Sequence, residues 1–220
     1  MTSPADLRGV RAGAALLLAS VLAACVGAPA PRSSAALRAA APALPPPAAA
    51  ARAAIPADAD RRFKAALALM QAQQPEDAVQ AFAALARDFP ALSGALTNLG
   101  ILHAQARDRD AALRSFASAV EANPGNAVAL NWLGVLYRES GDYARAEQAY
   151  RRALAVQPGY ADAQLNLGIL YELYLRRPQD AIAAYRGYRA AGGPDLIVEA
   201  WIRELEARHG IETAHSGATP

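Results

Sequence analysis

Residues 127–160 read AVALNWLGVLYRESGDYARAEQAYRRALAVQPGY, and the middle of the chain is this stretch repeated. The pair Leu133-Gly134 recurs as Leu99-Gly100 before it and as Leu167-Gly168 after it, at the same interval in both directions. Ala112, Phe116 and Pro124 follow the Leu99 pair at the offsets at which Ala146, Tyr150 and Pro158 follow Leu133. A period of about 34 residues marks stacked supersecondary units, each too small to cover its own apolar face.

Each position in the unit has a physical reason. Leu130, Leu133, Gly134 and Tyr137 fall at i, i+3, i+4 and i+7, which is one face of a helix and predicts that this face is buried. Gly134 lets a second helix approach closely, and Ala146 offers the matching small surface. Tyr150 fills the space between neighbouring hairpins. Gly141 and Asp142 supply the turn between the two helices, and Pro158 stops the second helix so that the chain enters the next unit.

Leu-Gly, an aromatic, Ala-x-x-x-aromatic and a closing Pro at this spacing resemble the tetratricopeptide repeat. The resemblance implies an all-α fold, a right-handed superhelical solenoid of about four helix hairpins plus a C-terminal capping helix. The register gives units at 59–92, 93–126, 127–160 and 161–193. In the first unit Ala78, Phe82 and Pro90 are in phase, with Ala65-Ala66 where Leu-Gly would stand. In the fourth, Tyr171, Ala181 and Tyr185 take the packing positions. Ala181 stands one place later after Gly168 than Ala146 does after Gly134, which puts an extra residue in the turn near Arg176 to Pro178. Gly192-Gly193-Pro194 closes this unit. Asp195 as N-cap, with Leu196, Ile197, Ala200, Trp201 and Leu205 at helical spacing, predicts a capping helix over 194–209. The tail, 210–220, has no periodicity and reads as disordered.

The N-terminus carries a separate signal. Arg8 and Arg11 precede an apolar stretch that ends in Leu22-Ala23-Ala24-Cys25, and Cys25 is the sole cysteine. Residues 1–24 resemble a bacterial lipoprotein signal peptide, which implies that Cys25 is acylated after cleavage and anchors the chain in the membrane. An ordinary secretory signal cut near Ala28 or Ala30, or an uncut anchor, are the alternatives. The apolar stretch is shorter than the ~20 residues a spanning helix needs. Val26, where an Asp would favour retention in the inner membrane, implies sorting to the outer membrane, facing the periplasm. Residues 25–58 are rich in Ala and Pro, including Pro45-Pro46-Pro47, and form no core; they read as a linker with a functional reach or as a spacer of no set length.

Composition narrows the function. The chain has 22 Lys plus Arg against 20 Asp plus Glu, so nucleic-acid binding is not suggested. No catalytic arrangement is visible. His103 stands where later units carry Tyr137 and Tyr171 and reads as a packing residue, His209 ends the capping helix, and His215 lies in the tail. No spacing suits metal ligands, a cofactor or a small-molecule substrate.

By resemblance, repeats of this kind bind a protein or peptide in a concave groove lined by their first helices. Beside each buried face runs a second row: Thr97, Ile101 and Gln105, then Asn131, Val135 and Glu139, then Leu165, Ile169 and Leu173. Ile101, Val135 and Ile169 form an apolar ladder, flanked by Asn98, Trp132 and Asn166 as amide donors and one aromatic anchor. The same residues are also placed to pack between repeats. Lys64 is the sole lysine of the domain, so capture of a partner's C-terminal carboxylate by a basic set is disfavoured. The resemblance implies a non-enzymatic adaptor lipoprotein in a bacterial envelope machine, of the type IV pilus or secretion kind or the TonB-type energy-transducing kind; the alternative is a periplasmic adaptor that regulates peptidoglycan enzymes.

Overall fold

The computed structural model describes residues 56–211. Among them there is no strand, and nine helices follow one another: α1 (Ala57–Gln71), α2 (Pro75–Asp88), α3 (Ser93–Gln105), α4 (Arg109–Ala122), α5 (Ala127–Glu139), α6 (Tyr143–Val156), α7 (Ala161–Ile169) prolonged by a π-turn (Leu170–Tyr174), α8 (Pro178–Ala190) and α9 (Asp195–His209). They pair as hairpins α1/α2, α3/α4, α5/α6 and α7/α8; successive hairpins stack through α2 on α3, α4 on α5 and α6 on α7, and α9 packs on α8. The described residues form an all-α solenoid. The first hairpin starts at Ala57, two residues before the expected boundary. The signal peptide, Cys25, the linker up to residue 55 and the tail beyond Ile211 fall outside the described residues.

One contact recurs inside the hairpins. A Cβ added to Gly100 would lie under 3.0 Å from the Phe116 ring, and the same holds for Gly134 against Tyr150 and Gly168 against Tyr185. In these three hairpins the aromatic of the second helix lies directly against the bare backbone of the first. In the first hairpin, Ala66, Ala78 and Phe82 are fully buried at the corresponding positions. Ala112, Ala146 and Ala181 are also wholly buried, as their small size in the closely packed second helices requires.

The hairpin corners share one geometry. Gln73, Arg107, Gly141 and Arg176 each have a positive φ, between 56° and 76°, one or two residues past the end of the first helix. Glycine adopts this conformation freely, while the other three sit there at a cost of about 1 kcal/mol each. Asp108 and Asp142 then cap the second helices of their hairpins, accepting from the amides of Ala111 and Arg145 at 3.0 Å. Pro75 and Pro178 begin α2 and α8, where a missing N–H costs nothing.

The extra residue of the fourth unit is not in the turn. The corner residues Gln73, Arg107 and Gly141 are evenly spaced and Arg176 falls one place late, but the turn around Arg176 has the same form as the others. The additional residue is taken up one step earlier, inside the helix, where Leu170–Tyr174 widens into a π-turn. The Leu175 amide donates to the Leu170 carbonyl and that of Arg177 to Tyr171, six residues back, where Asp142 donates five residues back to Tyr137. Nothing in the residue types marks that choice, because both places tolerate the insertion.

The capping helix also differs from its predicted face. Val198, Ile202 and Leu205 are its buried residues, Trp201 meets Tyr185 at 5.6 Å between ring centroids, and Ile197 is 41% exposed. The helix begins at Asp195 itself, so Pro194 and not Asp195 is its N-cap; Leu205 keeps its expected buried place, while Val198 and Ile202 are buried in place of Ile197. Ion pairs Arg186–Glu206, at 2.7 Å, and Arg189–Glu199 fasten it to α8.

Gly134→Ala is expected to destabilise the domain by about 1–3 kcal/mol through overpacking on Tyr150. Gly94→Ala, whose Cβ would meet Phe63 at an ordinary 3.5 Å, is expected to be neutral or stabilising. Urea unfolding of both variants checks the contrast; equal losses would show that helix-to-ring contact does not limit residue size at position 134.

Candidate partner-binding face

The first helices of the hairpins carry the candidate row, and the structure divides its members into two groups. Thr97 and Asn131 are 6% and 5% exposed. The Thr97 hydroxyl donates to the Ser93 carbonyl at 2.9 Å and accepts from the Asn126 amide at 2.7 Å. The same Asn126 nitrogen donates to the Ser93 hydroxyl, which donates in turn to the Ala119 carbonyl. Asn126 also caps α5 through the Ala129 amide. One side chain thus starts the third hairpin and bonds to the second. Asn131 accepts from Asn166 at 3.1 Å across the next joint. Ile169 is 7% exposed. Thr97, Asn131, the expected amide donor Asn166 and the last rung of the ladder are therefore joints between repeats: stacking brings these positions against the neighbouring hairpin, where a buried polar atom must find an internal partner.

What remains partly open is Ile101, Trp132, Val135 and Leu165, with Gln105 and Glu139 exposed and Leu173 half-buried. Asn98 is half-buried and donates to the Gly94 carbonyl of its own helix. Trp132 lies parallel to Phe116, with centroids 5.7 Å apart and 6° between planes, so one of its faces packs on the preceding hairpin. Truncating it removes packing as well as any outward contact. Val128, 38% exposed, belongs with these residues and was not singled out from the sequence. Its spacing from Trp132 and Val135 is i, i+4, i+7, the signal that marks a shared stripe.

Charges and phenols gather at the far ends of α5 and the π-turn. Arg138 is half-buried; its guanidinium lies over the Tyr174 ring at 5.7 Å, with Nη1 3.4 Å from the Tyr174 hydroxyl. Burial opposes the Arg138 charge, but Tyr150 and Tyr174 outweigh it and hold the group above its ordinary pKa. Burial pushes the Tyr150 phenol up to about 12, against the pull of Arg138 in the opposite direction. Beside this cluster, Glu147 accepts from the Tyr171 hydroxyl at 2.9 Å, Arg151 at 3.0 Å and Arg177 at 3.1 Å, joining the third hairpin to the fourth. Burial raises Tyr171 as well, helped by Glu147 and opposed by Arg151. His103, in register with Tyr137 and Tyr171, is half-buried. Among the described residues, no three His, Cys, Asp or Glu side chains converge as a metal site would need, and no helix is long and apolar enough to cross a membrane.

Residues 63–127, 97–154 and 133–196 each match the family model for the tetratricopeptide repeat. The chain belongs to the tetratricopeptide repeat family. Its fold is similar to that of MamA from Desulfovibrio magneticus, at 19% identity and a TM-score of 0.59 over 70% of this chain and 87% of that one. It is also similar to PilF of Pseudomonas aeruginosa, at 19% identity and a TM-score of 0.60 over 68% of each chain. A tetratricopeptide repeat protein from Parabacteroides merdae gives 22% identity and a TM-score of 0.58 over 69% of this chain and 60% of that one. At these identities the likeness is one of fold. No curated relative matches the chain.

Tyr150 yields a pH test. A phenol ionises near 10 in the unfolded chain and stays neutral in the folded one up to about 12, so its share of stability is present below pH 10 and falls as pH rises from 10 toward 12. Tyr150→Phe, which installs the residue type of Phe82 and Phe116, is expected to leave stability at pH 7 within about 1 kcal/mol of the parent and to flatten the alkaline loss. Denaturant titrations at pH 7 and across pH 10–12 measure both; an unchanged alkaline slope would show that Tyr150 is not a source of it.

Proposed function

We propose that this chain is a non-enzymatic adaptor that holds an apolar segment of a protein partner along the first helices of its repeats, while a lipid at Cys25 anchors it to the outer membrane on the periplasmic side. The observation that carries the reading is the partly open apolar run Ile101, Val128, Trp132, Val135 and Leu165, bordered by amides already bonded inside the protein. A face of that kind offers area for an apolar chain and few free polar groups to a small polar ligand. The repeats supply a rigid surface, and the linker and lipid supply location, which suits assembly of an envelope complex.

Two experiments test the two halves. A photo-cross-linking amino acid at Leu165 in living cells is expected to capture one envelope complex, identified by mass spectrometry, with at least a five-fold loss in Val128→Glu, a change at an exposed site that preserves the fold. A capture unchanged by Val128→Glu, or no specific adduct, overturns the binding face; adducts with cell-wall synthases or hydrolases would assign the complex to peptidoglycan. Cys25→Ser is expected to release the protein from membranes. Membrane retention of that variant would overturn the anchor.

A further inference from the structure

The π-turn of the fourth unit places a residue that no other hairpin has. Three units keep the common interval with regular helices, and the fourth interrupts its hydrogen-bond ladder at Leu170–Tyr174. Such turns are rare and are frequent at functional sites. The insertion does not serve the packing residues, since Gly168 and Tyr185 make the same contact as their counterparts. It delivers Tyr174 to the preceding hairpin, where its ring lies 5.0 Å from that of Tyr143 and beneath the Arg138 guanidinium.

Arg138 differs from four arginines around it. Arg109, Arg145, Arg151 and Arg177 each pair with a carboxylate. Among the described residues Arg138 has only tyrosines: the long 3.4 Å approach to Tyr174, and Tyr150, whose buried hydroxyl has no hydrogen-bond partner by geometry, as the Arg138 Nε also has none. Phenol oxygens do not neutralise a guanidinium, and a partly desolvated cation without a counter-charge favours an anion. Arg138 also lies three residues beyond Val135 and ten beyond Val128, on the same stripe of α5. The α5 part of the open apolar run therefore ends on an unmatched positive charge.

We propose that Arg138 and Tyr174 form a polar point within the binding face, where the α5 stripe stops, and receive a side-chain carboxylate, Asp or Glu, from an otherwise apolar partner segment. The inference rests on the adaptor reading above. A carboxylate there accepts from the Arg138 guanidinium and from the Tyr174 hydroxyl, which turns from acceptor to donor. A side chain is the source and not a chain end, because Arg138 sits in the third of four hairpins and the open face continues past it to Leu165 and Leu173.

The test uses the full chain carrying Cys25→Ser and a library of nonapeptides, acetylated and amidated to remove terminal charges, with Leu, Ile, Val and Ala mixed at all positions but one, which is Glu, Gln or Lys. Fluorescence anisotropy is expected to give the Glu sets at least five-fold tighter binding than the Gln sets, with Lys weakest. The preference is expected to vanish in Arg138→Gln and to shrink in Tyr174→Phe, which keeps the ring and hence the packing. Deleting Tyr174 restores the common interval; helicity by circular dichroism is expected to persist while the Glu preference is lost. Equal binding of Glu and Gln sets, or a preference that survives Arg138→Gln, overturns the carboxylate site and leaves the adaptor reading standing. Failure of every set to bind overturns both.

Discussion

An aromatic ring lying on a bare helix backbone is the contact on which the solenoid depends. Phe116 on Gly100, Tyr150 on Gly134 and Tyr185 on Gly168 fix the separation of the two helices in each hairpin. That separation decides which residues of the first helix face inward and which face the next hairpin. Everything further out follows from it: the joints at Thr97 and Asn131, the open run on the first helices, and the position of the tyrosine hydroxyls near the hairpin corners. A larger residue at any of the three glycines forces the ring or the helix to give way, since the added Cβ would lie under 3.0 Å from the ring.

The helix hairpins were legible because they rest on periodicity. A glycine that returns at one fixed interval, each time followed by Ala and an aromatic at fixed offsets, admits few structures. Roles on the helix surface were less so. Thr97 and Asn131 lie beside a buried face in the linear pattern, and the pattern has no term for the helix that a neighbouring hairpin brings against them. The same limit hid Val128 and Arg138, whose exposure depends on where α4, α6 and α7 end up. In α9, Leu205 is buried as the periodicity implied, but apolar residues also lie on an adjoining side of the helix, and packing on α8 buries Val198 and Ile202 while leaving Ile197 exposed.

The third and fourth hairpins are joined by more than apolar packing. Glu147 is shared by Tyr171, Arg151 and Arg177, and the last of these also pairs with Asp180 at the start of α8. The residues that make this junction surround the π-turn. A helix interruption is tolerated where neighbours hold it from several sides, and here the rings of Tyr143, Tyr171 and Tyr174 with the guanidinium groups of Arg138 and Arg177 do so.

Asn126 has a consequence of a different kind. Its carbonyl oxygen starts α5 while its nitrogen bonds to Ser93 and Thr97, so the first turn of the third hairpin cannot fray without releasing the second. The starts of α3 and α7, behind Leu92 and Tyr160, have no side-chain cap of this sort. In a one-dimensional stack, stability is shared between units and the seams between them, and one seam here is locked by the same atoms that nucleate a helix. Fraying at the start of the third hairpin is therefore coupled through one side chain to the start of the second.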